Sequence, residues 1–172
     1  METKILTQIP MFTGKINNWE YKKENINSYI DKMQFKENEY YLSSKSLPAE
    51  EFKQAFMNIF KEELVGVSEQ VDRPVNLKDV WVVHYEKGHE QYIHSHGSSG
   101  LSGIIYLNYN VKEHKPTHYL LPFLDPITDN SLISTSNVEE GDLVVIPSFI
   151  NHFTPYNKSE EIRSIIGFDL TF

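Results

Sequence analysis

Hydrophobic and polar positions divide the chain into two textures. In residues 17–34, Ile26, Tyr29, Ile30 and Met33 fall at i, i+3, i+4 and i+7, which lines one face of a helix. Asn17 or Asn18 can cap it. In residues 48–65, Phe52, Ala55, Phe56, Ile59 and Phe60 repeat the pattern, and Pro48 suits a first helical turn, where its missing N–H costs nothing. Each predicted helix carries an apolar face that needs a surface to lie on.

From Asn76 onward the period changes to two. Residues 80–85, 101–109, 118–124, 132–138, 143–146 and 162–170 read as strands rich in Val, Ile, Tyr and Phe. Gly, Pro, Asn and Asp punctuate them, as in Lys87-Gly88, Asp125-Pro126, Asp129-Asn130 and Glu140-Gly141. Many short strands with regular turn signals predict a mainly β barrel or sandwich, with the two amino-terminal helices on the outside of one sheet. No repeat or long linker divides the chain. The expected organisation is one domain, with residues 1–75 as helical support and residues 76–172 as the β core.

Length and composition narrow this little. The chain has 172 residues, 40% of them hydrophobic, which suits a globular domain with a real core. A net charge of -8 argues against a partner that must be neutralised by Lys and Arg, so nucleic acid is not expected. No stretch reaches the ~20 apolar residues that span a bilayer, and the first ten residues lack the apolar run of a signal peptide. The expectation is a soluble, cytoplasmic protein in which the sequon Asn157-Lys158-Ser159 is idle. The cysteine count matters more: it is zero, so a metal would have to be held by imidazole, carboxylate or carbonyl groups. That directs attention to the seven histidines.

His94 and His96 are spaced i, i+2, which in a strand turns two imidazoles to one face. His152 follows the apolar strand 143–146, and Arg163 opens the last strand. Each of these residues alone also fits a surface or structural role, which is the role expected of His84, His89, His114 and His118. The combination and its order point to a site.

In that order the chain resembles the 2-oxoglutarate and Fe(II)-dependent oxygenases, specifically their prolyl-4-hydroxylase-like branch, over roughly residues 78–172. The stretch Leu101-Ser102-Gly103-Ile104-Ile105-Tyr106-Leu107 and the segment Gly141-Asp142-Leu143-Val144-Val145-Ile146-Pro147-Ser148 also resemble a phage and bacterial subgroup with His-x-His. The resemblance implies a double-stranded β-helix, the jelly-roll barrel that cupins share. It implies Fe(II) as the metal, 2-oxoglutarate and O₂ as co-substrates, and hydroxylation of a peptide or small molecule with release of succinate and CO₂. Carried over residue by residue, His94 and His152 match the family's two histidine ligands. Arg163 matches the basic residue that pairs with the far carboxylate of 2-oxoglutarate. Tyr85 and Tyr106 resemble tyrosines near that co-substrate. Ile104, Phe153, Ile165 and Phe168 are candidates for the walls that keep the site dry.

The sequence departs from the pattern at one position. Where the family has Asp or Glu, this chain has His96. Three imidazoles leave the metal one unit more positive, and imidazole suits Fe, Ni, Cu and Zn alike. His96 is therefore read as a third ligand, or as a neighbour of the metal with water or a distant carboxylate such as Asp125 completing the set. A cupin with a three-histidine site is the competing reading. Gly88 and His94-x-His96 fit its first motif, and Gly141, Pro147 and His152 fit its second. The cupin Glu after His-x-His is absent, since Gly100 and Leu101 stand there, and a cupin has no need of Arg163. A third reading is a non-catalytic barrel that keeps the pocket for binding.

Overall fold

The computed structural model describes residues 8–45 and 50–172. Pro48 lies outside the described residues. The element order is β1 (Phe12–Lys15), α1 (Trp19–Ile30), β2 (Lys36–Glu37), β3 (Leu42–Ser43), α2 (Glu50–Ile59), α3 (Lys61–Gln70), β4 (Asn76–Tyr85), β5 (Gln91–His94), β6 (Leu101–Asn108), β7 (His118–Leu124), β8 (Ser131–Thr135), β9 (Asp142–Pro147), β10 (Asn151–Thr154) and β11 (Arg163–Thr171). The protein is mainly β. A seven-stranded sheet in the order β1-β9-β6-β11-β4-β3-β2 faces a four-stranded sheet in the order β5-β10-β7-β8. Neighbouring strands pair antiparallel throughout.

The large sheet is apolar on both faces, and the period of two sorts its residues between two cores. Val80 and Val82 of β4, Ile105 and Leu107 of β6, Val145 of β9, and Ile166, Phe168 and Leu170 of β11 face the helices. Trp81, Val83 and Tyr85, Ile104 and Tyr106, Val144 and Ile146, and Ile165 face the opposite way, into the space between the sheets. The second face holds the site.

The helical third differs in detail from its sequence reading. Ile26 and Ile30 of α1 are buried as expected, but Asn18 at its N-cap adopts a left-handed conformation (φ 53°) and makes no side-chain cap bond. The second predicted helix is two. Phe60 leaves helical geometry (φ -104°, ψ 24°) and separates α2 from α3. The bend lets Phe56 stack on both Phe60 and Phe168 while Val67 reaches the same core. Lys22 of α1, itself buried, bonds Glu63 of α3 at 2.8 Å and ties the two helices together. Five short strands stand outside the sequence reading: β1, β2 and β3, of two to four residues and mostly polar, at the two ends of the large sheet, and β5 and β10, of four residues each, in the small sheet. Asn157 of the sequon is buried, and its amide donates to the carbonyls of Tyr85 and Glu161, so the residue braces a turn.

Gly103 makes room for the ring of Phe168, its cross-strand partner on β11. A Cβ there would stand 2.0 Å from the Phe168 ring. Gly103→Ala is expected to destabilise the fold by about 1–3 kcal/mol through overpacking, read as a lower urea midpoint. An unchanged midpoint would show that the ring swings aside freely.

Candidate metal centre

The strand pairing of the small sheet brings the first two histidines together. His152 of β10 stands directly opposite His94 of β5, and their ring centroids are 4.3 Å apart. The chain then leaves β5, and the His96 amide donates to the Ser148 carbonyl at 2.9 Å, which anchors the segment against the end of β9. The His96 ring lies 5.2 Å from that of His94 and 5.1 Å from that of His152. One ligand nitrogen from each ring falls within 4.8 Å of the others, and among the described residues this is the one such cluster of metal-binding side chains.

Each ring is oriented through Nδ1. His94 Nδ1–H donates to the Tyr92 carbonyl at 2.8 Å, and His152 Nδ1–H donates to the Ile150 carbonyl at 3.0 Å. His96 Nδ1 meets Asp169 Oδ1 at 2.6 Å. A carbonyl or carboxylate can only accept, so each Nδ1 carries a proton, and in a neutral ring so held it is Nε2 that has the lone pair. Burial keeps two of the rings neutral. It pulls the His152 pKa down to about 3, helped by His94 beside it. It also pulls down the pKa of His94. Neutral imidazoles with their second nitrogen anchored are what a metal needs from histidine.

Asp169 was not foreseen in the sequence, and Asp125 does not take the role considered for it. Asp125 is a turn residue whose carboxylate accepts the backbone N–H groups of Ile127 and Thr128. Asp169 instead stands on β11 opposite Ser102 of β6. Ser102 Oγ donates to the same oxygen, at 2.8 Å, and lies 2.9 Å from Ser148 Oγ. Burial pushes the Asp169 carboxyl up, but the hydrogen bonds and charge interaction with His96 and the bond from Ser102 outweigh it and hold it below the usual carboxylate value.

Arg163 begins β11 on the inner face and is 2% exposed. Its Nη2 donates to Thr117 Oγ1 at 2.9 Å, while Nε and Nη1 are buried without a partner. No carboxylate among the described residues pairs with it. The guanidinium carbon lies 5.2 Å from the Tyr85 ring and 5.7 Å from the Tyr106 ring. Tyr85 Oη donates to Gln91 Oε1 at 2.6 Å, Tyr106 Oη accepts the Thr117 N–H at 3.2 Å, and Tyr119 Oη is buried without a partner. Burial pushes the Tyr85 hydroxyl up to about 12, so it stays protonated beside the cation.

The cavity at the three histidines is lined by them and by Trp81, Thr117, Ile104, Ile146 and Ile165, and Arg163 is joined to its wall through Thr117, the acceptor of its Nη2. Lys45 also borders it, with Nζ 3.9 Å from the centre of the Trp81 ring. Two expected wall residues face elsewhere. Phe168 has the opposite strand parity and packs under the helices, and Phe153 stacks on His118 on the other side of β10. The other four histidines serve local structure. His84 Nδ1 bonds Ser164 Oγ, His89 accepts the Glu86 N–H, His114 accepts the Asn110 N–H, and His118 bonds the Pro116 carbonyl.

Residues 79–169, just over half of the chain, match the model of a family described as "Putative 2OG-Fe(II) oxygenase". The chain belongs to the 2OG-Fe(II) oxygenase family. No curated protein matches it in sequence. Among solved structures it is similar to HygX from Streptomyces hygroscopicus, crystallised with nickel, 2-oxoglutarate and hygromycin B, at 14% identity and a TM-score of 0.72 over 95% of this chain and 83% of that one. It is similar to SnoN, an α-ketoglutarate-dependent epimerase of nogalamycin biosynthesis, at 10% identity and 0.73 over 95% and 76%. It is also similar to a prolyl-4-hydroxylase from Pseudomonas putida at 10% identity and 0.63 over 95% and 94%. These likenesses establish the double-stranded β-helix. The family uses Fe(II) and 2-oxoglutarate, and the cupin reading is not favoured. No helix among the described residues is long and apolar enough to cross a membrane.

The side chains fit both groups. Three imidazoles anchored through Nδ1, each with a ring nitrogen within 4.8 Å of the others, could hold one metal ion and leave coordination positions for co-substrate and O₂. The unpartnered Nε and Nη1 of Arg163 lie on either side of Nη2, and a carboxylate engages Nη2 together with one of them in two-point geometry.

Proposed function

We propose that the protein is an Fe(II)- and 2-oxoglutarate-dependent dioxygenase of the hydroxylase type, with His94, His96 and His152 as metal ligands and a peptide or small molecule as substrate. The observation that carries this reading is a pairing. The three-imidazole cluster shares one interior with a buried guanidinium that has two hydrogen-bond donors to spare. Such donors are costly when buried unless a ligand completes them.

When bound, the metal supplies the oxidising chemistry that converts 2-oxoglutarate and O₂ to succinate and CO₂ and hydroxylates a C–H bond. The chain's own residues do the positioning. Tyr92 and Ile150 carbonyls fix His94 and His152. Arg163 takes the far carboxylate of the co-substrate, with Thr117 holding the guanidinium from one side. Tyr85 and Tyr106 present their ring faces to it. Ile104, Ile146 and Ile165 exclude water, which strengthens the charge–charge contact and protects the oxidant from side reactions.

The test has two readouts. Anaerobic Fe(II)-loaded protein should develop a visible charge-transfer band on addition of 2-oxoglutarate, the mark of chelation through two oxygens. With O₂ it should then form succinate, slowly even without substrate. Absence of both the band and succinate would overturn the reading.

A further inference from the structure

Asp169 is not explained by the folding of β11 alone. It is a carboxylate on the inner face of a central strand, 7% exposed. Among the described residues it pairs with no lysine or arginine. Its bonds come from His96 Nδ1 at 2.6 Å and Ser102 Oγ at 2.8 Å, both to the same oxygen. The period of two places it on the face that carries Arg163 and Ile165. His94 and His152 are anchored on neutral backbone carbonyls. The imidazole that stands where the family resemblance expects a carboxylate ligand is the one with a carboxylate behind it.

We propose that Asp169 is a positioning residue which supplies, through His96, the negative charge that this metal site would otherwise lack. Two neutral histidines and a carboxylate carry one negative charge. Three neutral histidines carry none, and His94, His96, His152 and Asp169 together again carry one. The carboxylate holds His96 in the tautomer that leaves Nε2 free and makes that nitrogen a stronger donor. Ser102, tied to Ser148, fixes the carboxylate in turn. This rests on the reading of the three histidines as metal ligands.

The test is metal affinity, with Co(II) as the probe, titrated calorimetrically into metal-free protein. Asp169→Asn keeps the shape and an oxygen acceptor but removes the charge. It should weaken Co(II) binding about 10–100-fold. In a His96→Asp background the charge is restored at the metal itself, so Asp169→Asn should there cost nothing or tighten binding by removing a like charge. Equal losses in both backgrounds, or no loss in either, would overturn the proposal. A second measurement needs no variant. In Zn(II)-loaded protein, the histidine nitrogen NMR signals should show His96 protonated at Nδ1; protonation at Nε2 would overturn it. If the unaltered protein binds no Co(II), the assignment of the three histidines as ligands fails, whereas binding that ignores Asp169 refutes only its role.

Discussion

His152→Ala is expected to remove metal binding and succinate formation together while leaving the metal-free fold intact. The residue sits deepest of the three histidines, 6% exposed, and stands opposite His94 across the sheet. Burial holds its pKa near 3, so at neutral pH it is a lone-pair donor with almost no competing proton. A metal ligand of this kind contributes about 3 kcal/mol, so its loss should weaken Co(II) or Fe(II) binding by two or more orders of magnitude. The fold does not depend on the ring in the same way. It closes one hydrogen bond, to the Ile150 carbonyl at the end of a turn, so the urea midpoint of the metal-free variant should lie close to that of the parent. Calorimetric titration, succinate assay and urea unfolding together check this. A variant that binds metal as tightly as the parent would show that the metal is held elsewhere.

The contrast between His152 and Asp169 shows what a sequence makes visible. The barrel was legible because β4, β6, β9 and β11 are buried on both faces, which writes continuous apolar runs into the chain. The strands outside that reading are short: β1 to β3 are polar pieces within the helical third that pair into the large sheet, and β5 and β10 are four-residue pieces of the small sheet. The break at Phe60 was hidden because Phe56 and Phe60 continue a helical spacing on both sides of it. His-x-His and the later histidine could be read from their order along the chain, although β5 ends at His94 and His96 is placed by its amide bond to the Ser148 carbonyl rather than by strand alternation. Asp169 could not, because an acidic residue near the end of a last strand looks like any solvated edge charge. Its parity with Arg163 was available; its meeting with His96 depends on the registers of β11 with β6 and of the loop after β5 with Ser148. Asp125, the distant carboxylate that could complete the set, is spent by the fold on a turn.

Arg163→Met should separate folding from function more sharply than any other change. In the metal- and co-substrate-free protein the guanidinium is buried with one hydrogen bond, to Thr117, and two donor atoms without partners. A buried cation so poorly paired carries a desolvation cost that no neighbour repays. Methionine fills similar volume, lies well against the Tyr85 and Tyr106 rings, and has no donors to satisfy, so the free protein should unfold at an equal or higher urea concentration. Co-substrate binding should move the other way. Losing one partner of a buried, two-point charge pair costs about 2–5 kcal/mol, so the 2-oxoglutarate concentration for half-maximal succinate formation should rise at least ~30-fold. Metal affinity should stay near that of the parent, because Arg163 touches none of the three histidines. The melting temperature rise that 2-oxoglutarate gives the parent should shrink or vanish in the variant, since ligand stabilisation scales with affinity. A variant that is less stable yet titrates with 2-oxoglutarate as the parent does would make Arg163 a structural cation and strip it of the co-substrate role.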